Sequence, residues 1–115
     1  MNIQELQARA YAQAEAKGFH DTTPWDPSHE RSIQSEKIAL MHSELSEALE
    51  ELRAGKAVND LYYVDGKPEG VPAELADVVI RIADFCGAYG ISLQDAVLAK
   101  LNYNLSRDHK HGKAF

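Results

Sequence analysis

One cysteine, Cys86, stands in 115 residues. No disulfide can form within the chain, and a reducing, cytoplasmic compartment is the expectation. No apolar run approaches the ~20 residues a membrane span requires. Met1–Gln13 also lacks the apolar centre of a signal peptide, so no membrane partner is expected. Basic residues are in the minority, 12 Lys+Arg against 18 Asp+Glu, for a net charge of −6. That balance argues against a binder of nucleic-acid polymers or anionic membranes, which would want a basic surface. No glutamate has a histidine three residues later, which removes the Glu-x-x-His repeat of carboxylate-bridged di-iron bundles. A single cysteine and scattered histidines offer no zinc ligand set. Internal repeats and low-complexity segments are absent as well.

What remains is one domain of common size, residues 1–115, with 44% hydrophobic and 26% charged residues, the balance of a globular protein. Four helices are expected. The first runs from about Ile3 to Lys17, with Asn2 as N-cap, Glu5 three residues on, and Gly18 as its stop. The second runs from about His29 or Arg31 to Ala54, bounded by Pro27-Ser28 and Gly55. The third runs from about Ala73 to Tyr89, with Pro72 at its start and Gly90 beyond its end. The fourth runs from about Leu93 to Arg107, capped by Ser92. Between the second and third, Leu61–Val64 followed by Asp65-Gly66 suggests a small hairpin. The expected fold is all-α, a four-helix bundle-like protomer. It divides into an N-terminal helix and loop (1–28), a central helical region (29–107) and a basic tail (108–115). Charge is unevenly spread: residues 1–99 carry 8 Lys/Arg and 17 Asp/Glu, whereas residues 100–115 carry 4 Lys/Arg and one Asp.

The third helix is the informative one. At 100° per residue, Glu74, Asp77, Arg81 and Asp84 share an arc of about 80°, and almost everything else from Glu74 to Tyr89 is apolar. Such a helix is covered on most sides, so Glu74 and Asp77 are expected to face protein, at a cost unless a cation compensates them. On the second helix Ile38, Met41, Leu45, Ala48, Leu49 and Leu52 form the expected core face, with Glu44 at its edge and Glu47 one step outward. Each acidic pair is spaced i,i+3 and points one way. If these two helices pack antiparallel, four carboxylates converge, and a hard divalent cation, Mg²⁺ or Mn²⁺, is the ion they suit. The competing reading is a solvated or ion-paired stripe, the ordinary fate of Glu-x-x-Glu on a helix surface.

Glu44-Leu-Ser-Glu47, 26 intervening residues and Glu74-Leu-Ala-Asp77 resemble the ExxE…ExxD signature of the MazG-like nucleotide pyrophosphohydrolases, in the all-α NTP pyrophosphatase superfamily. The segment from Lys37 to Glu51 is similar to that family's first acidic helix, and Glu74–Ile82 to its second. Lys100, Asn104 and Arg107, and the ending His109-Lys-His-Gly-Lys113, resemble its downstream pattern. The likeness covers about residues 30–113.

The resemblance implies Mg²⁺-dependent hydrolysis of a nucleoside triphosphate to a monophosphate and pyrophosphate. Glu44, Glu47, Glu74 and Asp77 would be the metal ligands, and Glu44 or Glu47 the acceptor of the water's proton. Lys37, Lys100, Asn104, Arg107 and Lys110 would meet substrate, the basic ones through its phosphates. It also implies a homodimer or homotetramer, with helices paired across the oligomer interface. Base recognition is the least defined part. Trp25, Phe19 and Tyr103 could stack on a base, but Phe19 and Trp25 are expected rather to pin the first loop to the core. His20, His29 and His42 read as surface or loop histidines, Cys86 as core packing, and Tyr62 and Tyr63 as cover for the site or a subunit boundary. The rival functions are a non-catalytic helical interaction module and a nucleotide-binding sensor without turnover.

Overall fold

A computed structural model describes residues 1–20 and 27–107. The chain runs α1 (Ile3–Ala16), α2 (Pro27–Arg53), β1 (Tyr62–Val64), β2 (Lys67–Glu69), α3 (Val71–Ala88) and α4 (Leu93–Leu105). The caps act as expected. The Asn2 side chain accepts from the Glu5 amide at 2.8 Å, and Ser92 Oγ accepts from the Asp95 amide at 3.4 Å. Each satisfies an amide that the first helical turn leaves without a partner. Helix α2 begins earlier than expected: Pro27 opens it instead of preceding it, because a first-turn position has no amide bond for proline to lose. Strands β1 and β2 pair antiparallel with Val64 opposite Lys67, so Asp65-Gly66 is a two-residue turn. Both turn residues have positive φ, 52° and 82°, the type I′ geometry that matches strand twist.

Helix α3 is the centre of the fold. It packs extensively against α1 on one side and α2 on the other, while α4 touches α1 lightly. Gln7 ties the α3–α4 turn to α1, its amide nitrogen donating to the Ile91 carbonyl at 2.7 Å and its oxygen accepting from the Leu93 amide at 3.2 Å. The described core is made of small groups, Ala10, Ala48, Val71, Ala73, Val78, Ala83 and Cys86. Burial raises the Cys86 thiol pKa, in keeping with a packing role.

The second helix departs from expectation. Of its six expected core residues only Ala48 is buried and Met41 half-buried; Ile38, Leu45, Leu49 and Leu52 are 42–55% exposed. The half-buried stripe is instead Ile33, Lys37, Met41, Glu44 and Glu51, with Ala48 at its centre. Helix α2 is thus rolled so that its glutamate edge, not its leucine face, meets α3. Leu75, Val79 and Ile80 on α3 are also 40–46% exposed, so that helix is not covered on most sides within one chain. The chain exposes 8678 Å², against about 6,300 Å² for a compact monomer of this mass.

Candidate metal centre

The roll of α2 delivers Glu44 to α3. One oxygen from each of Glu44, Glu74 and Asp77 lies within 4.8 Å of the others. Glu47 approaches Glu74 closely enough for the two carboxyl groups to share a hydrogen bond, so all four expected acids meet at the α2–α3 seam. Their environments differ. Glu74, in the first turn of α3, is 9% exposed, and its Oε2 is enclosed with no hydrogen-bond partner. Glu44 is 12% exposed at its side chain and accepts from Arg81 Nε at 2.9 Å. Glu47 is exposed. Asp77 is exposed too, a correction to the expectation that it faces protein: it lies at the open edge where the seam widens.

The electrostatics follow from this crowding. Desolvation, then the hydrogen bond and charge of Glu47, then the charges of Asp77 and Glu44, push the Glu74 carboxyl up to about 7. Asp77 is raised by partial burial and by Glu44, while Arg81 and Lys67 pull it back. An enclosed carboxylate oxygen with no donor, beside three more acids, is the donor set of a site for a hard divalent cation. The residues present therefore fit Mg²⁺ or Mn²⁺.

Two of these four acids reach a trough of about 760 Å³ between α1 and α2, floored by α3. Glu44 and Asp77 line it, as do the cationic Lys17, Lys37 and Arg81, the apolar Ile33, Leu40, Ile80 and Phe85, and Phe19. Phe19 is 72% exposed, so it does not pin the loop to the core; it stands free beside the trough. His20, expected as a surface or loop histidine, does lie in the turn after α1, but it is not exposed. Its ring nitrogen is hydrogen-bonded to Asp84 at 2.6 Å, with side-chain exposures of 12% and 18%, and its ring packs on Tyr11. His29 and His42 are exposed as expected.

Lys37 is brought to the trough, but Lys100, Asn104 and Arg107 are not among its lining residues. Lys100 and Asn104 are exposed on α4 and Arg107 just beyond its end at Leu105, with Lys100 and Arg107 over the Tyr103 ring at 5.5 and 5.4 Å. Trp25 and Lys110, with the rest of the basic tail, lie outside the described residues. Sequence reasoning missed Lys17, whose position at the end of α1 gave no hint of a trough, and took Arg81 only as a counter-charge. Tyr62 turns inward and donates to Glu51, while Tyr63 is exposed. Among the described residues no helix is long and apolar enough to cross a membrane. Compared with protein-family models, curated proteins and solved structures, the chain matches none.

Proposed function

We propose that the protein is a Mg²⁺-dependent nucleoside triphosphate pyrophosphohydrolase, releasing a monophosphate and pyrophosphate. The observation that carries this reading is the convergence of Glu44, Glu74 and Asp77, with Glu47 beside Glu74, and the trough of about 760 Å³ that Glu44 and Asp77 line together with Lys17, Lys37 and Arg81. That volume lies within the range of small-molecule sites, and its mix of acids, bases and apolar floor is what a charged tail joined to an aromatic base requires.

Glu44, Glu47, Glu74 and Asp77 would hold the ion, which supplies positive charge to the phosphates and stabilises the transition state as a Lewis acid. The chain's own groups do the rest. Lys17, Lys37 and Arg81 meet phosphate oxygens from the trough walls. Glu44 is engaged by Arg81, which leaves Glu47, exposed at the seam, as the better acceptor of the attacking water's proton. Ile33, Leu40, Ile80 and Phe85 offer the nucleoside a dry floor, with Phe19 beside it.

In this reading the protein works as a homodimer or homotetramer. The exposed Ile38, Leu45, Leu49 and Leu52 of α2 and Leu98, Leu101 and Leu105 of α4 are the surface a second copy would cover. Such a copy is also the route by which Lys100, Asn104 and Arg107 would reach a trough they do not line in their own chain. The same exposed stripe is what favours the alternative, an interaction module without turnover.

The test is a panel of canonical and modified NTPs and dNTPs with Mg²⁺, read as monophosphate and pyrophosphate released. Glu47→Gln and Asp77→Asn should each lower kcat/KM for the best substrate by about 100-fold or more, with helical circular dichroism retained. No turnover of any triphosphate, together with no thermal shift from Mg²⁺ or Mn²⁺, would reject the enzyme and leave the interaction module.

A further inference from the structure

Glu74 also belongs to a second group of acids, which the hydrolytic reading does not use. One oxygen from each of Glu51 on α2, Glu69 at the end of β2 and Glu74 lies within 4.8 Å of the others. Glu51 stands two turns beyond Glu44 along α2, about 10 Å of axial rise. One ion cannot bind both ends of that span. The seam between α2 and α3 therefore holds two triads that meet at Glu74, not one broad cluster.

Two members of the second triad have partners. The Tyr62 hydroxyl donates to both oxygens of Glu51 at 3.1 and 3.0 Å, and Lys67 Nζ lies 3.3 Å from Glu69 Oε1. Glu74 differs: 91% of it is buried, and although its carboxyl group meets Glu47, its Oε2 has no hydrogen-bond partner. A cation is the partner that position lacks, since a buried, unpaired anionic oxygen is costly.

The hairpin is anchored so as to present Glu69 there. Gly70 has φ 106°, and a Cβ at that position would overlap the Asp60 carbonyl oxygen. Only glycine lets the hairpin close against residue 60 and lead directly into the first turn of α3. The spacing suits a small ion. Adjacent oxygens on one Mg²⁺ at about 2.1 Å stand about 3 Å apart and opposite ones about 4.2 Å, so each carboxylate oxygen moves by about 1 Å to close the triad.

We propose that Glu51, Glu69 and Glu74 form a second divalent-cation site, for Mg²⁺ or Mn²⁺, with the Glu74 carboxylate bridging to the Glu44–Asp77 group. Three carboxylates and no nitrogen or sulfur donor select a hard ion, and water completes its shell. Lys67 moves off Glu69 when the ion enters. The site shares Glu74 with the hydrolytic reading but does not depend on turnover.

The experiment titrates the full-length protein with Mn²⁺, without nucleotide, and counts bound ions from the loss of the free-ion electron paramagnetic resonance signal. The wild type should bind two Mn²⁺ per chain. Glu69→Gln and Glu51→Gln should each leave one, as should Asp77→Asn, and the Glu69→Gln/Asp77→Asn pair none. Circular dichroism checks that each variant is folded, and Glu51→Gln keeps an oxygen for Tyr62 should Glu69→Gln disturb the hairpin. One Mn²⁺ per chain in the wild type, or two retained in both Glu69→Gln and Glu51→Gln, overturns the proposal. Two ions without triphosphate hydrolysis would reject the hydrolytic reading and uphold this site; hydrolysis with one ion would do the reverse.

Discussion

On the α1 side, helix α3 presents Gly87 to the Tyr11 side chain and Asp84 to His20 in the turn after α1; against α2 it presents Glu74, enclosed and with its Oε2 unpartnered. The same helix thus carries two acids at half-buried or buried positions and treats them in opposite ways. Asp84 meets His20 at 2.6 Å, and the surrounding groups close in. Glu74 meets three other carboxylates, and its pKa rises to about 7. A seam made for stability alone would satisfy or remove such a group, because an unpaired buried charge is costly. The difference separates a seam whose acid is satisfied within the chain from a seam whose electrostatics a bound cation would improve.

The largest effect should come from tightening the α1 seam. A Cβ on Gly87 would stand 2.7 Å from Tyr11 Cβ, a group fixed to the α1 backbone. The two helices must therefore separate. Alanine gains about 1 kcal/mol over glycine in helix propensity, but overpacking of this kind costs about 1–3 kcal/mol, and the shift propagates to the His20–Asp84 pair. Gly87→Ala should show a net loss of about 1–2 kcal/mol in urea unfolding. A neutral or stabilising result would show that the α1 seam is looser than its geometry indicates.

The opposite sign is expected at the α2 seam. The folded Glu74 pKa lies above the unfolded value, so the native state holds the extra proton. The metal-free protein should lose stability as pH rises from about 4.5 to about 7 and keep that penalty above it. Solvent close to the seam screens the effect, which is on the order of 1–2 kcal/mol. Glu74→Gln should flatten this pH dependence and leave the metal-free protein more stable than wild type at pH 8. It should also abolish stabilisation by Mg²⁺. Thermal melts at pH 5 and pH 8, with and without Mg²⁺, check all three; a variant that is less stable than wild type at pH 8 would show that Glu74 is satisfied after all.

Much of this contrast could be read from residue order. The helix ends were legible because caps and stops are local: Asn2 with Glu5, Ser92 with Asp95 and the Asp65-Gly66 turn each act within four residues. Glu74 and Asp77 stood out because i,i+3 acids on a mostly apolar helix are out of place, and Glu44 because it lies at the edge of the apolar stripe of α2. The facing of α2 was not. Periodicity finds the most apolar arc, Ile38–Leu45–Leu49–Leu52, but not which arc meets the neighbouring helix, and here α3 takes the adjacent glutamate edge. That arc stays exposed within the described chain. Glu69 and His20 were missed for a related reason. Glu69 joins Glu51 only through the closure of a hairpin, and His20 joins Asp84 across 64 residues, distances at which local pattern carries no signal.

The smallest effect should show whether the two seams are independent. His20 and Asp84 hydrogen-bond to each other, and the His20 ring packs on Tyr11; Asp84 lines the same trough as Glu44 and Asp77, but neither residue is one of the four expected ligands. His20→Gln keeps a donor on a shorter, non-aromatic side chain, so it should cost about 1 kcal/mol, the net value of one strained or lost hydrogen bond. The Mg²⁺-induced rise in melting temperature should remain that of the wild type, because none of the expected ligands has moved. Gly87→Ala offers the control at the same seam, and the two variants together should be non-additive, since both act on the approach of α1 to α3. A His20→Gln protein that melts normally but loses its response to Mg²⁺ would mean that α3 transmits strain from one face to the other. The enclosed position of Glu74 would then be a product of the α1 packing and not of the α2 seam alone.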